Sequence, residues 1–337
     1  MRRALFAAVA GLVAAAVLQG PARAEEVRIS VGSFNLNNLP FPLTGSLGFY
    51  EAEGLDVTTE NFSSGGSKVL QALVAGSTDI AVGFYDHTIQ MQAQNKDVVA
   101  VALLARNSGL VLAAGKEATF DPARPDTIKG ARIGITAPGS SSDFFVRYYL
   151  DHHGLSAGDV SIIGVGSGAS AVAALERGTV DLLANYDPAA TLIEERGAGR
   201  IVIDARTDAG AETVYGGIYP TSVLYTTRQF LEQHPETVQK VVNATVRTLR
   251  WMDAHSAEEI YDKVPSDYVV GERASYVAAI AHAKTLFSPD GRFDPATLET
   301  PLRVLRQFNE AVQAAPIDLS RTYTNAFVDK ALAQYTQ

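Results

Sequence analysis

The sequence predicts an α/β chain of two similar lobes that share a cleft, and three observations carry that reading. The phrase Ala-Leu-x-x-Gly-x-x-Asp at Ala72, Leu73, Gly76 and Asp79 returns at Ala174, Leu175, Gly178 and Asp181, displaced by 102 positions throughout. Each copy opens on a small turn, Ser64-Gly65-Gly66-Ser67 in the first and Gly166, Ser167, Gly168 and Ser170 in the second, and each is followed by Tyr-Asp, at Tyr85-Asp86 and Tyr186-Asp187. What precedes also matches: strand, helix and Glu53-Gly54-Leu55 in one half, strand, helix and His153-Gly154-Leu155 in the other. The phrase reads as turn, short helix, glycine stop, buried strand and polar loop. Ligands of open α/β sheets bind outside the C-terminal ends of the strands. Two such lobes face to face place their polar loops on one gap.

The first 24 residues read as an address. Arg2 and Arg3 precede an apolar run from Ala4 to Leu18, and Ala22-Arg23-Ala24 offers a small-x-small cleavage pattern, so a mature chain is expected from Glu25 by ordinary Sec export. The run is short for a membrane span. Without cysteine, neither a lipid anchor on cysteine nor a disulfide can form. Loss of Arg2, Arg3 and Arg23 from 28 basic residues leaves 25 against 37 acidic ones, a formal charge of −12. That balance repels nucleic acid and anionic lipid but leaves room for a small anion held by local donors. The 313 residues beyond the leader (337 − 24) suit two lobes of ordinary size. The expected division is 25–113 with 218–337 as lobe 1 and 114–217 as lobe 2.

In chain order, Val27 to Ser33 alternates like a strand and runs into a loop rich in amides, with Asn35, Asn37 and Leu39 as candidate ligand contacts. A helix is expected from Leu43 to Glu53 and a strand from Leu55 to Asn61. The turn Gly65, Gly66, Ser67 then starts a helix, whose first N–H groups have no partner within the helix and can hold an anion without a basic side chain; a plain cap is the competing reading. After strand Asp79 to Gly83, Tyr85 is placed to stack on a ligand and Asp86 to cap the next helix. Val98 to Leu104 is a strand buried on both faces, and Arg106 beyond it is a candidate fork for a carboxylate, sulfonate or nitrate. Leu110 to Ala113 and the Asp/Pro-rich stretch from Phe120 to Pro125 read as the first passage between lobes.

The second lobe opens with a strand from Ile128 to Thr136, and Gly139, Ser140, Ser141 and Ser142 form the turn into a helix ending at His153. Strand Val160 to Ile163 leads to Gly164-Val165-Gly166-Ser167-Gly168-Ala169, which fits a loose G-x-G-x-x-A but is explained as well by a tight turn into a helix. Asn185, Tyr186 and Asp187 end the next strand, with Pro188 in a first helical turn. Tyr215 to Pro220 reads as the return passage, whose glycines permit hinge motion, and Thr221 to Thr226 as a strand. The remainder is helical, with Val238, Val241, Val242, Leu249 and Met252 at helical spacing, and is expected to pack on lobe 1.

No nucleophile elbow or P-loop occurs, and the adjacent His152 and His153 point in different directions from a helix. Turns, amides, hydroxyls and aromatics at strand ends bind more readily than they transform. Neither enzyme chemistry, metal nor cofactor is expected.

Several stretches together resemble the nitrate/sulfonate/taurine-type solute-binding proteins of ABC importers, which are related to the thiamine-pyrimidine synthase-like group. They are Gly48-Phe49-Tyr50-Glu51-Ala52-Glu53-Gly54-Leu55-Asp56-Val57, Gly65-Gly66-Ser67, the first repeat through Ala81, Ile128-Lys129-Gly130, Pro138-Gly139-Ser140 and Asp187-Pro188. The resemblance implies a type II periplasmic-binding fold, an exported, monomeric periplasmic protein and delivery of a small solute to a membrane permease. By position it implies a cleft drawn from Asn35 to Leu39, Gly65 to Ser67, Tyr85, Asp86, Arg106, Gly139 to Ser142, Ser167 and Asn185 to Asp187. Alternatives stay open. The pyrimidine synthases of this fold need a Cys-rich motif that this chain lacks. A sensor subunit would share the same cleft, and Tyr85, Tyr186, Tyr215 and Tyr219 would also suit a pyrimidine or an amino-sulfonate.

Overall fold

The computed structural model describes residues 24–33, 35–62 and 65–335; the expected leader before Ala24, and Ser64 of the first turn, lie outside them. Two five-stranded sheets organise the chain. The first contains β1 (Glu25–Val31), β2 (Leu55–Asn61), β3 (Ile80–Phe84), β4 (Val98–Leu103) and β10 (Ser222–Thr227); the second contains β5 (Val111–Gly115), β6 (Arg132–Ile135), β7 (Ser161–Gly164), β8 (Leu182–Asn185) and β9 (Gly199–Asp204). Their orders, β2-β1-β3-β10-β4 and β7-β6-β8-β5-β9, are the same pattern. In each sheet the fourth strand is antiparallel to its neighbours and comes from the far side of a crossing, β10 into the first and β5 into the second. The α/β two-lobe expectation is met, and the type II periplasmic-binding arrangement is the fold.

The repeated phrase also explains how each sheet begins. Asp79 accepts from the backbone N–H of Arg28 at 2.9 Å and from its Nε at 3.1 Å and Nη2 at 2.6 Å. Asp181 does the same for Arg132, with the backbone N–H at 2.8 Å and Nε at 3.0 Å. The aspartate of the motif is therefore a clamp that fixes where the first strand of its lobe lies against the third. Burial raises the Asp79 carboxyl, and the Arg28 hydrogen bonds more than offset it, leaving it below the ordinary range; Arg132 lowers Asp181 in the same way.

Strands β3, β4, β5 and β8 are buried along their whole length, as continuous apolar runs require. Helix Pro235–Ala254 lays Val238, Val241, Val242 and Val246 on the first sheet beside Val27, Ile29 and Leu224. Each such side chain contributes about 1.5–3 kcal/mol on burial. The expected helix from Leu43 to Glu53 is two helices, Pro40–Ser46 and Phe49–Ala52, separated at Gly48, whose φ is +70°.

Two expectations are corrected. Leu110 to Ala113 is no passage: β5 lies inside the second sheet, so the chain crosses between Leu103 and Val111, and lobe 1 does not extend to Ala113. An apolar run of this kind fits either sheet, and only its pairing decides. The C-terminal helices also do not stay on lobe 1. In helix Glu299–Phe308, Val304 joins the apolar cluster of lobe 2, and Phe308 lies 5.9 Å from Phe144. Among the described residues no helix is long and apolar enough to cross a membrane.

Replacing Asp79 or Asp181 by Asn should cost about 1 kcal/mol each, between an exposed ion pair and a charge-assisted hydrogen bond. Because both carboxyls are held low in the folded chain, their stabilisation is complete above the ordinary carboxylate range and is lost as pH falls through the lowered values. The melting temperature of the double variant should therefore fall less than that of the unaltered chain between neutral and acid pH; parallel curves would refute the clamp.

Candidate functional site

Among the described helices that begin at the gap between the lobes, Gly66–Val74 from lobe 1 and Ser141–His152 from lobe 2 point at it from opposite sides, with the shorter Asp86–Ala93 starting beside the first. Neither of the two opposed helices has a side-chain cap. Gly65 cannot supply one, and its φ of +84° selects glycine at that position. Ser140 is of a type that caps well, yet its hydroxyl is diverted to Thr136 at 2.8 Å and Ser142 at 2.9 Å. The positive ends of both helices thus face the gap with first-turn N–H groups unused by caps.

The lobes meet closely here. A Cβ on Gly65 would come within 3.0 Å of Thr136 Oγ1 and 3.5 Å of the Ser140 side chain, and a Cβ on Gly139 within 3.9 Å of Ser67. The cavity between them is about 20 Å³, room for the centre of roughly one water. Ser33, Asn35 and Asn38 from the loop after β1 form one wall; Thr136, Ser140 and Ser141 form the opposite one; Phe84, His87 and Tyr186 complete it. The Phe84 and Tyr186 rings, from opposite lobes, touch edge to face at 5.3 Å.

Beneath this wall sits Asp86, fully buried on lobe 1. Its carboxylate accepts from the Ser141 hydroxyl of lobe 2 at 2.9 Å and from Tyr219 Oη on the returning crossing at 3.1 Å. Burial pushes its pKa up, against the opposing pull of the neighbouring His87, Ser141 and Tyr219. Burial also raises Tyr186, Tyr215, Tyr219 and Tyr225 around it, so the four phenols stay protonated. Ser141 gives its proton to Asp86, not to an imidazole, so no nucleophile–base pair is assembled. Among the described residues no group of three or more potential ligands could hold a metal.

Of the sequence candidates, Asn35, Gly65, Gly66, Ser140, Ser141 and Tyr186 line the cavity, with Ser67, Gly139, Ser142 and Asp86 next to it. Asp86 was expected as a helix cap; its helix, Asp86–Ala93, starts on Tyr85, and the carboxylate reaches the other lobe instead. The rest lie elsewhere. Asn37 donates to the Ser108 carbonyl at 2.9 Å and to Thr221 at 3.3 Å, pinning the two crossings together. Leu39 packs in an apolar cluster with Leu36 and Leu43. Tyr85 hydrogen-bonds Thr322 in the core of lobe 1. Arg106 does not reach the cavity: its Nη1 donates to both oxygens of Asp208, at 3.1 Å each, bridging the first crossing to helix Asp208–Tyr215. Ser167 accepts from Ser170 within its own turn at 3.0 Å. Asn185 donates to the Gly166 carbonyl at 3.2 Å, and Asp187 holds the N–H and hydroxyl of Thr191.

The cavity is thus built by the equivalent loops after the first strand of each lobe and by the second turn of lobe 1, while the second turn of lobe 2 takes no part in it, despite the repeat. Of the wall residues, Ser33, Phe84, Thr136 and His87 were not expected from the sequence, whereas Asn38 falls within the implied Asn35 to Leu39 loop. Ser33 and Thr136 do end the first strand of each lobe, where open sheets bind, and that signal was available.

The family model described as NMT1-like family matches residues 22–264. A solved protein of Bordetella bronchiseptica RB50 superposes with a TM-score of 0.88 at 37% identity, over 93% of this chain and 98% of that one. The alkanesulfonate-binding protein SsuA of Xanthomonas axonopodis pv. citri, bound to MOPS, superposes at 0.69 with 18% identity over 92% and 98% of the two chains. YtlA of Bacillus subtilis (strain 168), provisionally named a binding protein, is 26% identical over 247 residues, 72% of this chain and 71% of its own. With the family match spanning most of the sequence, the chain belongs to the NMT1-like family.

Proposed function

We propose that this protein is the exported, periplasmic solute-binding component of an ABC importer, that it closes its two lobes on a small solute bearing an oxyanion, of the sulfonate, nitrate or aromatic carboxylate class, and that it hands the solute to a membrane permease. The observation that carries this reading is the meeting of two uncapped helix starts, from opposite lobes, at one cleft. An anion placed there takes hydrogen bonds from both lobes at once, so it favours the closed arrangement by its differential affinity for it. None of the described cavity-lining residues is Lys or Arg; helix ends, amides and hydroxyls supply the donors. The fold shared with an alkanesulfonate-binding protein agrees with this. Lobe closure on a bound guest, with no reactive pair in the cavity, is the behaviour of a carrier.

A thermal-shift screen of the mature chain against nitrate, methanesulfonate, taurine, benzoate and pyrimidines tests the class. An oxyanion at about 100 times its Kd should stabilise by about 2.7 kcal/mol, and a response confined to uncharged pyrimidines would overturn the oxyanion reading. Arg106→Ala should leave the binding isotherm of a responding oxyanion within about twofold, because Arg106 is committed to Asp208; a tenfold loss, about 1.4 kcal/mol, would return it to the ligand. Closure makes a separate prediction. Ser141→Ala removes the donor that the opposite lobe gives to a buried carboxylate, at a cost of about 1.5–3 kcal/mol to the closed form. Its radius of gyration by X-ray scattering should exceed that of the unaltered chain, and identical profiles would show that Asp86 does not hold the lobes together.

A further inference from the structure

One buried group in the closed cleft has no role in this account. His87 is 1% exposed and forms part of the cavity wall, and neither ring nitrogen makes a well-formed hydrogen bond, although the Gly139 backbone lies close enough to favour the protonated ring. A neutral imidazole carries one donor and one acceptor, and burying both without a well-formed protein partner is costly. The ring lies against Gly66, the first residue of one helix start: a Cβ there would come within 2.4 Å of His87 Cε1. The opposite helix start is one residue away in the network, since Ser141 bonds to Asp86.

The groups facing His87 are few. On its own helix, Asp86 Oδ1 stands 4.0 Å from Nε2. Strand β10 presents the Tyr225 ring at 6.5 Å, and helix Ser141–His152 the uncharged Phe144 at 6.1 Å. From lobe 2 the Gly139 backbone favours a protonated ring. Asp143 is turned away, engaged by the Gly139 N–H and by Arg147.

Resting on the solute-binding reading above, we propose that the solute is an oxyanion captured together with one proton, and that His87 is the residue that takes the proton as the anion settles between the Gly66 and Ser141 helix starts. Burial holds the free imidazole below its ordinary range, so before binding it is neutral near pH 7. The anion supplies the opposite charge that makes a buried imidazolium tolerable. A solvent proton adds to a ring nitrogen to give the N–H⁺ that faces the anion, and no other bond is made or broken. The pair enters as anion plus proton with no net charge, which is how a narrow, buried cavity lined by no Lys or Arg can accept a charged guest. His87 also sets specificity, since an uncharged guest of the same shape draws no proton.

The test uses the mature chain in bis-Tris and Tris chloride, avoiding sulfonate and phosphate buffers, with methanesulfonate and nitrate as probes. Affinity by calorimetry from about pH 5.5 to about pH 8.5 should tighten as pH falls, by up to about tenfold per unit between the free and bound His87 values. Adding the probe to weakly buffered protein should raise the pH, by up to one proton taken up per anion bound. His87→Gln should bind more weakly and lose the pH dependence. Binding with a flat affinity and no proton uptake overturns the proposal while leaving solute binding intact, and needs no variant to fold. A pH slope that survives in His87→Gln places the proton elsewhere and overturns the assignment. Failure of both probes to bind at any pH removes the oxyanion class and this inference with it.

Discussion

The closed arrangement depends on a single buried carboxylate. Asp86 is fully buried, so its charge or its proton is answered by protein groups. The donors come from two other parts of the chain: Ser141 from the opposite lobe and Tyr219 from the crossing between lobes. Parting the lobes removes the first and rehydrates the carboxylate; closing them restores the bond and expels the water. Because burial raises the Asp86 pKa in the folded chain, its contribution to the stability of the fold is fully present at low pH and is lost as pH rises through the raised value.

Around that bond the remaining features follow from space. Gly65 and Gly139 let two backbones approach where side chains would wedge the lobes apart, and Gly66 leaves room for the His87 ring. Asn37 and Thr221 tie the two crossings to one another, so that the lobes share one hinge and not two independent linkers. Arg106 and Asp208 brace the same region from the solvent side, where an exposed pair contributes little by itself. The C-terminal helices add apolar contact across the gap at Phe308 and Phe144. These contacts bring the two lobes together until a cavity of about 20 Å³ is left between them.

The repeat has a structural meaning different from its functional one. Its aspartates clamp the first strand of each lobe through Arg28 and Arg132, which is why the spacing is kept. Its small turns have diverged: the one at Gly65 faces the solute cavity, while the one at Ser167 bonds to itself. The equivalent strand ends at Ser33 and Thr136 both line the cavity, whereas the equivalent second turns do not.

By itself the sequence determined the two α/β lobes, their internal order and the turns that start helices, because alternation, glycine stops and Gly/Ser turns act over a few neighbouring residues. It also placed Gly65, Gly66, Ser140, Ser141 and Tyr186 at strand ends, and the structure brings them together. Only the tertiary structure decided which polar group answers which. Arg106 finds Asp208, Tyr85 finds Thr322, and Asn37 finds the crossings, all partners far away along the chain and invisible to local pattern. The same holds for Asp86 and His87, whose roles arise because burial strips water from them and the opposite lobe either supplies a partner or does not.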